Sequence, residues 1–402
     1  MRAHLSLGSS ARFSWLSILA PVEIQLVMRC LNVRSRLSAA RCNKQLYAAA
    51  NHSFAWAQDQ MATLRVDNNA ATLQSLAARV RGSLLRLAPI HLRVLLPATV
   101  FDPLCPELFA VPNVQAITAQ VPLDFLAVAC LFLLPLLLHP AAQQLRSLDI
   151  SGIWNYECTE AELHGLATLP HLHSLFLSDA IREDISASLP PSSLYFSSLT
   201  HLKVFPSPLG LEKLFASLSH CPRLTSLELQ CACIDTALFH CLAWLPPGQL
   251  QRLRFWRGEV DVMEEPPTSA RAALGSLPEI ELDEVDGVNL LLPVLSSAPA
   301  LRLFRWRCDA PQWMPTPNRP FCLPSLEPLR QLMTEAPQVQ VQLVLSHSFD
   351  QWLADSDARV LKADESDALL HFQRHCWNEL QQLLSQPELS GVCRIDVESG
   401  DD

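Results

Sequence analysis

The feature that most constrains this sequence is a pattern, L-x-x-L-x-L, that recurs along the chain at an almost constant spacing. The triplets are Leu145/Leu148/Ile150, Leu172/Leu175/Leu177, Leu199/Leu202/Val204, Leu224/Leu227/Leu229, Leu250/Leu253/Phe255, Leu277/Ile280/Leu282 and Leu301/Phe304/Trp306. Their first residues lie 27, 27, 25, 26, 27 and 24 positions apart. Apolar residues two apart are typical of a strand with one buried face, and the residue three positions earlier marks the bend that leads into it. A spacing kept over seven triplets predicts a stack of equivalent units.

The segments between the triplets have the apolar period of a helix. Examples are "GLEKLFASLSHCP" (210–222), "TALFHCLAWLPP" (236–247) and "NLLLPVLSSAP" (289–299), each of which ends at proline. One strand and one helix per unit predict an α/β solenoid, with parallel strands on a concave face and helices on a convex face. Weaker matches extend the array upstream to Leu92/Leu95 and Val114/Ile117, and "VQVQLVLS" (339–346) predicts a last strand.

Composition limits the partners and the compartment. The hydrophobic fraction of 49% is enough to bury a large core. A net charge of −10 without a basic patch argues against nucleic acid and anionic membranes as partners. Thirteen cysteines without a signal peptide indicate reduced thiols in the cytoplasm or nucleus, although Arg2 and Arg12 leave a mitochondrial presequence open. The most apolar run, "FLAVACLFLLPLLL" (125–138), is shorter than the roughly 20 residues of a membrane span, so we expect a buried helix there.

Residues 18–56 do not follow the repeat. Pro21 in a first helical turn, an acid at Glu23, and Val27 and Leu31 at four-residue spacing predict a short amphipathic helix. Later apolar positions predict further short helices; they are Leu37, Cys42, Leu46 and Tyr47. At the other end, the amphipathic segment 364–384 predicts a helix that caps the array.

The N-terminal run resembles an F-box. That pattern has Leu-Pro-x-Glu, an aliphatic residue and then a leucine at four-residue steps, and a closing helix, which "RCNKQLY" (41–47) is similar to. Two positions depart from this pattern. Ala20 stands where leucine is usual, and Leu37 comes one residue later than expected, so that Arg36 stands in its place. Together with the phrase "HCPRLTSLEL" (220–229), the chain resembles the F-box/leucine-rich-repeat proteins of the cysteine-containing repeat class.

The resemblance implies a five-part organisation. We expect a flexible N-terminus (1–14), an F-box-like region (15–57), a leucine-rich-repeat solenoid (58–350), a C-terminal capping helix (351–390) and an acidic tail (391–402).

The resemblance also implies a function. It implies the substrate receptor of an SCF-type cullin–RING ubiquitin ligase, whose F-box binds the adaptor subunit and whose repeats bind a protein substrate. The implied adaptor contacts are Pro21, Val22, Glu23, Ile24, Val27 and Leu31. The alternative is that residues 18–56 only cap the repeats, in which case the protein is a scaffold with no connection to ubiquitin.

No catalytic motif is present in the sequence, so we expect a protein that is not an enzyme. Neither a P-loop, a nucleophile elbow, a dinucleotide fingerprint nor a zinc-protease helix occurs. Two groups could suggest zinc. His371, His375 and Glu379 lie at i, i+4 and i+8 of a predicted helix, a spacing at which two histidines can chelate zinc, but the sequence shows no further ligand. The other group has no zinc-site spacing; it is Cys221/Cys231/Cys233/Cys241. We therefore expect neither a metal nor a cofactor.

Residues that alternate with the triplet positions should point away from the core and line the concave face. The candidates for partner binding are Phe176, Lys203, Phe205, Arg252, Arg254, Trp256, Glu281, Arg305 and Arg307. Neighbouring parallel strands lie about 4.8 Å apart, so Arg254, Glu281 and Arg305 should form a lateral ladder of opposite charges. Such a ladder could be a self-neutralised network that stiffens the sheet, or a recognition surface anchored by Trp256 and the arginines.

Overall fold

Parallel strands alternate with short helices along the chain. The structure is a computed structural model that describes residues 20–56, 61–67, 69–95, 106–120, 133–152, 160–177, 196–204, 211–230, 233–261, 272, 274–296, 298–308, 327–346 and 393–398. It is α/β and has two compact units. The first is Met1–Tyr156 with Leu169–Leu172, and the second is Glu157–Thr168 with His173–Asp402.

In its described residues, the first unit contains four strands that pair in chain order, all parallel. They are β1 (Ala62–Asp67), β2 (Ile90–Leu95), β3 (Val114–Gln120) and β4 (Ser147–Gly152). Its α-helices are α1 (Pro21–Cys30), α2 (Val33–Cys42), α3 (Lys44–Ala50), α4 (Ala70–Arg81) and α5 (Leu133–Leu138). Short 3₁₀ helices are Ser53–Trp56, Leu84–Leu87, Pro106–Ala110 and Pro140–Gln144.

The second unit continues the same alternation. Its strands are β5 (Ser174–Phe176), β6 (His201–Val204), β7 (Ser226–Leu229), β8 (Cys233–Ile234), β9 (Arg252–Val260), β10 (Glu279–Asp286), β11 (Leu303–Cys308), β12 (Gln340–Ser346) and β13 (Cys393–Glu398). They pair in the parallel order β5-β6-β7-β9-β10-β11-β12-β13, and β8 pairs with the end of β9. The α-helices are α6 (Glu160–Ala167), α7 (Leu211–Leu218), α8 (Thr236–Leu242), α9 (Leu292–Ser296) and α10 (Glu327–Glu335), with a 3₁₀ helix at Val288–Leu290.

The leucine triplets form the core, as their spacing predicts. All seven triplets are buried, with no member more than 5% exposed. Equivalent residues of successive strands are in register: Leu227 pairs with Leu253, Leu253 with Ile280, and Ile280 with Phe304. The predicted helices between the triplets are present as α7, α8 and α9. The predicted parallel α/β architecture is therefore confirmed, and the order of the strands is compatible with a solenoid.

The weak ends of the pattern differ from the prediction. In the match Leu92/Leu95, Leu95 was expected to be a core residue. Instead, Leu92 pairs with Ile117 and takes that core position, and Leu95 is 44% exposed. The prediction for Leu95 was therefore wrong. The strand β1 was not predicted, because only Ala62 and Val66 of it are buried. The expected tail, 391–402, contains β13, which pairs with β12. The expected N-terminus (1–14) and capping helix (351–390) lie outside the described residues.

The three N-terminal helices share one core with the beginning of the sheet. The core residues of the helical region are Ile24, Met28, Ala40, Leu46, Ala49, Ala50, Ala55 and Trp56. They pack in a single cluster with Ala62 of β1 and with Leu84 and Ala88. The predicted short helix that begins at Pro21 is confirmed. The helical region and the first strand are thus one packing unit.

The contacts of Arg36 show how a charged residue is accommodated at a position where the F-box pattern has leucine. Its guanidinium is buried and closes the end of α1: Nε donates to the carbonyl oxygen of Met28 (2.7 Å), and Nη2 donates to those of Leu31 (2.6 Å) and Arg29 (3.1 Å). The last carbonyls of a helix have no partner within the helix, so these bonds satisfy them. The guanidinium also lies 4.6 Å from the centroid of the Trp56 ring. Burial lowers the pKa of Arg36, but a guanidinium stays charged at neutral pH.

We expect Arg36→Met to lower the free energy of unfolding by about 2–4 kcal/mol, because it removes three hydrogen bonds to carbonyls at the buried end of α1. Urea unfolding followed by circular dichroism measures this. The matched control is Arg34→Met, an exposed residue of the same helix, which should change the free energy of unfolding by no more than about 0.5 kcal/mol. Equal effects of the two substitutions would contradict the role of Arg36.

Candidate functional site

The helix α1 carries an exposed apolar surface. Val22 is 61% exposed, Leu26 47% and Val27 44%. At 100° per residue, Val22 and Leu26 lie on the side of the helix opposite the buried Ile24 and Met28, and Val27 lies at the border of that side. We define the α1 face as the exposed residues Pro21, Val22, Glu23, Leu26 and Val27. Adjacent exposed aliphatic side chains of this kind are typical of a surface that binds another protein.

The adaptor contacts implied by the F-box resemblance divide into two groups. Pro21, Val22, Glu23 and Val27 are exposed on the α1 face. Ile24 is buried and Leu31 is half-buried, and both belong to the core of the helical region or pack against it. The sequence prediction omitted Leu26, although its position four residues after Val22 signals the same helix face.

Glu23 has a local role in addition to its exposure. Its carboxylate accepts a hydrogen bond from the backbone N–H of Ala20 at 2.7 Å, in the manner of the acid in a capping box. An acid in the first turn also interacts favourably with the positive end of the helix dipole. Glu23 therefore helps α1 to begin at Pro21, which positions the apolar residues of the α1 face.

A second surface lies in the second unit, on the strands β6, β7 and β9–β12. The strand register places six side chains in one lateral row: Lys203, Glu228, Arg254, Glu281, Arg305 and Gln342. Positive and negative charges alternate along this row up to Arg305. The same register places Arg252 beside Glu279 on one side of the row, and Asp283 beside Arg307 on the other. We call these ten residues the charged sheet face.

Ion pairs connect the row. An Arg254 nitrogen lies 3.5 Å from a carboxylate oxygen of Glu228, another lies 3.5 Å from one of Glu281, and Arg254 also pairs with Asp283. Nη1 of Arg305 lies 3.1 Å from a carboxylate oxygen of Glu281, and its Nε donates to Gln342 Oε1 at 2.8 Å. The predicted ladder of Arg254, Glu281 and Arg305 is confirmed.

Two further pairs flank the row. The Nε and Nη2 groups of Arg252 both donate to Glu279 Oε1, at 2.9 and 2.8 Å. Nη1 of Arg307 lies 3.7 Å from Asp283 Oδ2. The hydrogen bond to Glu279 is the main cause that raises the pKa of Arg252. Burial lowers the pKa of Arg254, but the hydrogen bond to Asp283 and the nearby carboxylates outweigh it, so the net change is a rise.

The two signs of charge lie at different depths. The side chains of the four arginines are 24–41% exposed, whereas those of Glu281 and Asp283 are 9% and 5% exposed. Glu228 and Glu279 are intermediate, at 21%. Because carboxylates are costly to bury without partners, the arginines compensate for the buried acids. The arginine side chains on this face are therefore more exposed to solvent than the carboxylates with which they pair.

Trp256 contacts two cations at the border of the charged sheet face. Lys203 Nζ lies 4.2 Å from its ring centroid and Arg257 Cζ lies 4.7 Å away, both within the range of cation–π attraction. Arg257 has φ 52°, which is uncommon for a residue other than glycine. The alternation of buried and outward residues shifts there, because four residues separate the buried Phe255 and Val260.

Two other residues were predicted to bind a partner on this sheet. Phe176 is half-buried on β5, and Phe205 lies outside the described residues.

Cysteines and histidines make no metal site in the described part of the chain, where no three His, Cys, Asp or Glu residues are grouped to hold an ion. Cys221 and Cys241 are buried and Cys233 is half-buried. Burial raises the pKa of Cys241 to about 11, with Glu212 and Asp235 adding to the rise, and burial also raises that of Cys221. Protonated thiols are poor ligands and nucleophiles. Cys231, His371, His375 and Glu379 fall among the residues that are not described.

The apolar segment 125–138 is described only in part, as the six-residue helix α5. No described helix has both the length and the apolar character that a membrane crossing requires.

Two comparisons of the sequence, with family models and with curated proteins, were without a match. No protein-family model matches the sequence. No curated protein matches it at a significant level.

We expect Glu281→Gln to lower the free energy of unfolding by about 2 kcal/mol, because it leaves Arg254 and Arg305 beside a buried neutral amide. Thermal or urea unfolding measures the change. Glu259→Gln is the control, since it makes the same chemical change at an exposed position of β9. If Glu259→Gln is equally destabilising, the ladder does not account for the effect.

The cysteines should differ in their reaction with iodoacetamide at pH 8. The exposed Cys30 and Cys42 should be alkylated in the native protein, whereas Cys221 and Cys241 should be protected by burial and by their raised pKa values. Site-resolved mass spectrometry measures the modification, and protein unfolded in guanidinium, in which all four should react, is the control. Equally fast alkylation of Cys241 and Cys30 in the native protein would contradict the prediction.

Proposed function

We propose that this protein is a non-enzymatic receptor that joins two protein partners, as the substrate-recognition subunit of an SCF-type cullin–RING ubiquitin ligase. The observation that carries the proposal is the α1 face, where Val22, Leu26 and Val27 are exposed on a helix that begins at Pro21. This is the helix for which the sequence resembles an F-box. The proposal further takes the strand–helix units to be leucine-rich repeats.

The α1 face favours a stable contact with another protein. Burying the three aliphatic side chains contributes roughly 1 kcal/mol or more for each, at about 25 cal/mol per Å² of apolar surface. The three residues lie within two turns of a single helix, so one partner surface that wraps its exposed side can bury them together. The buried Ile24 and Met28 on the opposite side hold that helix rigidly against the core, which lowers the entropic cost of binding.

In the proposed mechanism, the protein acts through proximity. The α1 face binds the adaptor subunit, and the sheet of the repeats binds the protein substrate. This raises the effective concentration of substrate lysines near the ubiquitin-conjugating enzyme. The receptor needs no cofactor and performs no chemistry itself, and its place of action would be the cytoplasm or the nucleus.

The alternative is a repeat scaffold that has no connection to ubiquitin. The observation in its favour is the shared core, since the helical region packs against Ala62, Leu84 and Ala88 and could serve only to cover the first strand. The inward positions of Ile24 and Leu31 also remove two of the contacts that the F-box resemblance implies. The two functions differ in one property, the binding of the ligase adaptor.

Co-purification of the full chain with the adaptor subunit tests the proposal. We expect the parent protein to bind and Val22→Asp/Val27→Asp to lose binding by roughly 100-fold or more, because charges replace buried aliphatic contacts. Both residues are exposed, so the variant should fold.

Leu290→Asp is the control, because it places an aspartate at an exposed leucine of the second unit. It should bind the adaptor like the parent. If the folded parent protein does not bind the adaptor, the ligase proposal fails and the scaffold remains. If all variants bind equally, the α1 face is not the contact.

A further inference from the structure

We infer that the charged sheet face binds an acidic, extended peptide segment of a partner protein, through carboxylates that contact its outward guanidinium groups. The inference rests on the proposed function in that the segment would belong to the substrate. It goes beyond that function because it states the chemical class of the segment.

The charge of the face differs from that of the chain. Five cations, Lys203, Arg252, Arg254, Arg305 and Arg307, stand against four carboxylates, Glu228, Glu279, Glu281 and Asp283. The face is therefore net positive by one charge, and Arg257 adds another at its border. The whole chain carries −10. A locally positive surface on an acidic protein favours an anionic partner at this place.

The different burial of the arginines and the acids increases the effect of the small excess of positive charge. Arg252 has 41% of its side chain exposed and Arg307 has 32%, whereas the acid with which each pairs is 21% and 5% exposed. A guanidinium has five N–H donors, and Arg252 directs those of Nε and Nη2 at Glu279. A partner that approaches from solvent therefore meets donors before it meets acceptors.

The spacing of the arginines fits an extended peptide. Arg252 and Arg254 are alternate residues of β9, so their Cα atoms lie about 6.7 Å apart along the strand. Alternate residues of an extended peptide have the same separation and point to the same side. Arg305 and Arg307 repeat this arrangement on β11. A peptide with acids at alternate positions can therefore place one carboxylate over each arginine of a strand.

The kind of anion follows from the acids on the face. Each arginine has a carboxylate within 4 Å, so the net positive charge is spread thinly over the face and no two unpaired cations are clustered to receive a single dianionic phosphate. Single carboxylates spread along a peptide match this distribution of charge better. Trp256 contributes by holding Lys203 and Arg257 against its ring, which positions two cations at the border of the face. The geometry therefore favours Asp and Glu side chains over phosphorylated residues.

Fluorescence anisotropy tests the inference. The full chain is titrated into a labelled ten-residue peptide that has glutamate at alternate positions. We expect saturable binding that weakens between 50 and 200 mM salt, as ion pairs at a surface do. Arg252→Gln/Arg307→Gln should weaken it at least about tenfold, because it removes the two most exposed guanidinium groups that would contact the carboxylates of the peptide.

The matched control is Arg223→Gln/Arg302→Gln, which removes the same two charges from exposed positions outside the face. It should leave binding unchanged, and circular dichroism verifies that both variants fold. The inference is overturned by absence of binding to the folded parent, by equal weakening in the control, by equal binding of a peptide with glutamine at the same positions, or by binding only of a phosphoserine version. Adaptor capture is a separate assay, so its failure alone would overturn the ligase proposal without affecting this result.

Discussion

The stacking of the leucine triplets on one another is the interaction on which the rest of the structure depends. In the second unit the triplets of neighbouring strands lie side by side, so that Leu227, Leu253, Ile280 and Phe304 meet at the same level of adjacent strands. A strand of four residues such as β7 could not be stable alone. The strand β7 is stabilised because its apolar residues pack beside those of its two neighbours, β6 and β9. The register that results determines which outward residues meet.

The charged sheet face is a direct consequence of that register. Since the inward leucines align across strands, the outward residues between them align as well, and Glu281 must lie between Arg254 and Arg305. A one-residue shift of β10 would bring its apolar residues to the outside and remove the carboxylates from the arginines. The ion pairs therefore reinforce the register that the leucines specify, even though exposed ion pairs contribute little to stability singly.

The same physics decides what could be predicted from the sequence. The triplets, the helices between them and the charge ladder follow from local period and constant spacing, which are visible in a single sequence. The features that were missed depend on tertiary contacts. An arginine is expected at the surface, and the burial of Arg36 depends on its contacts with Trp56 and with the end of α1. The strand β1 has only two buried residues, Ala62 and Val66, that could indicate a strand. Leu26 was detectable by its helical spacing from Val22 and was overlooked because the F-box pattern does not include it.

The shared core of the helical region and the first strand has a consequence for experimental design. Deletion of residues 20–56 would do more than remove a binding helix, because it would expose Ala62, Leu84 and Ala88 to water. A truncated protein that failed to bind any partner could have failed by local unfolding or aggregation at the uncovered strand. Protein fragments that begin after the helices are thus unsuitable as negative controls, and single substitutions on the outside of α1 can separate loss of binding from loss of structure.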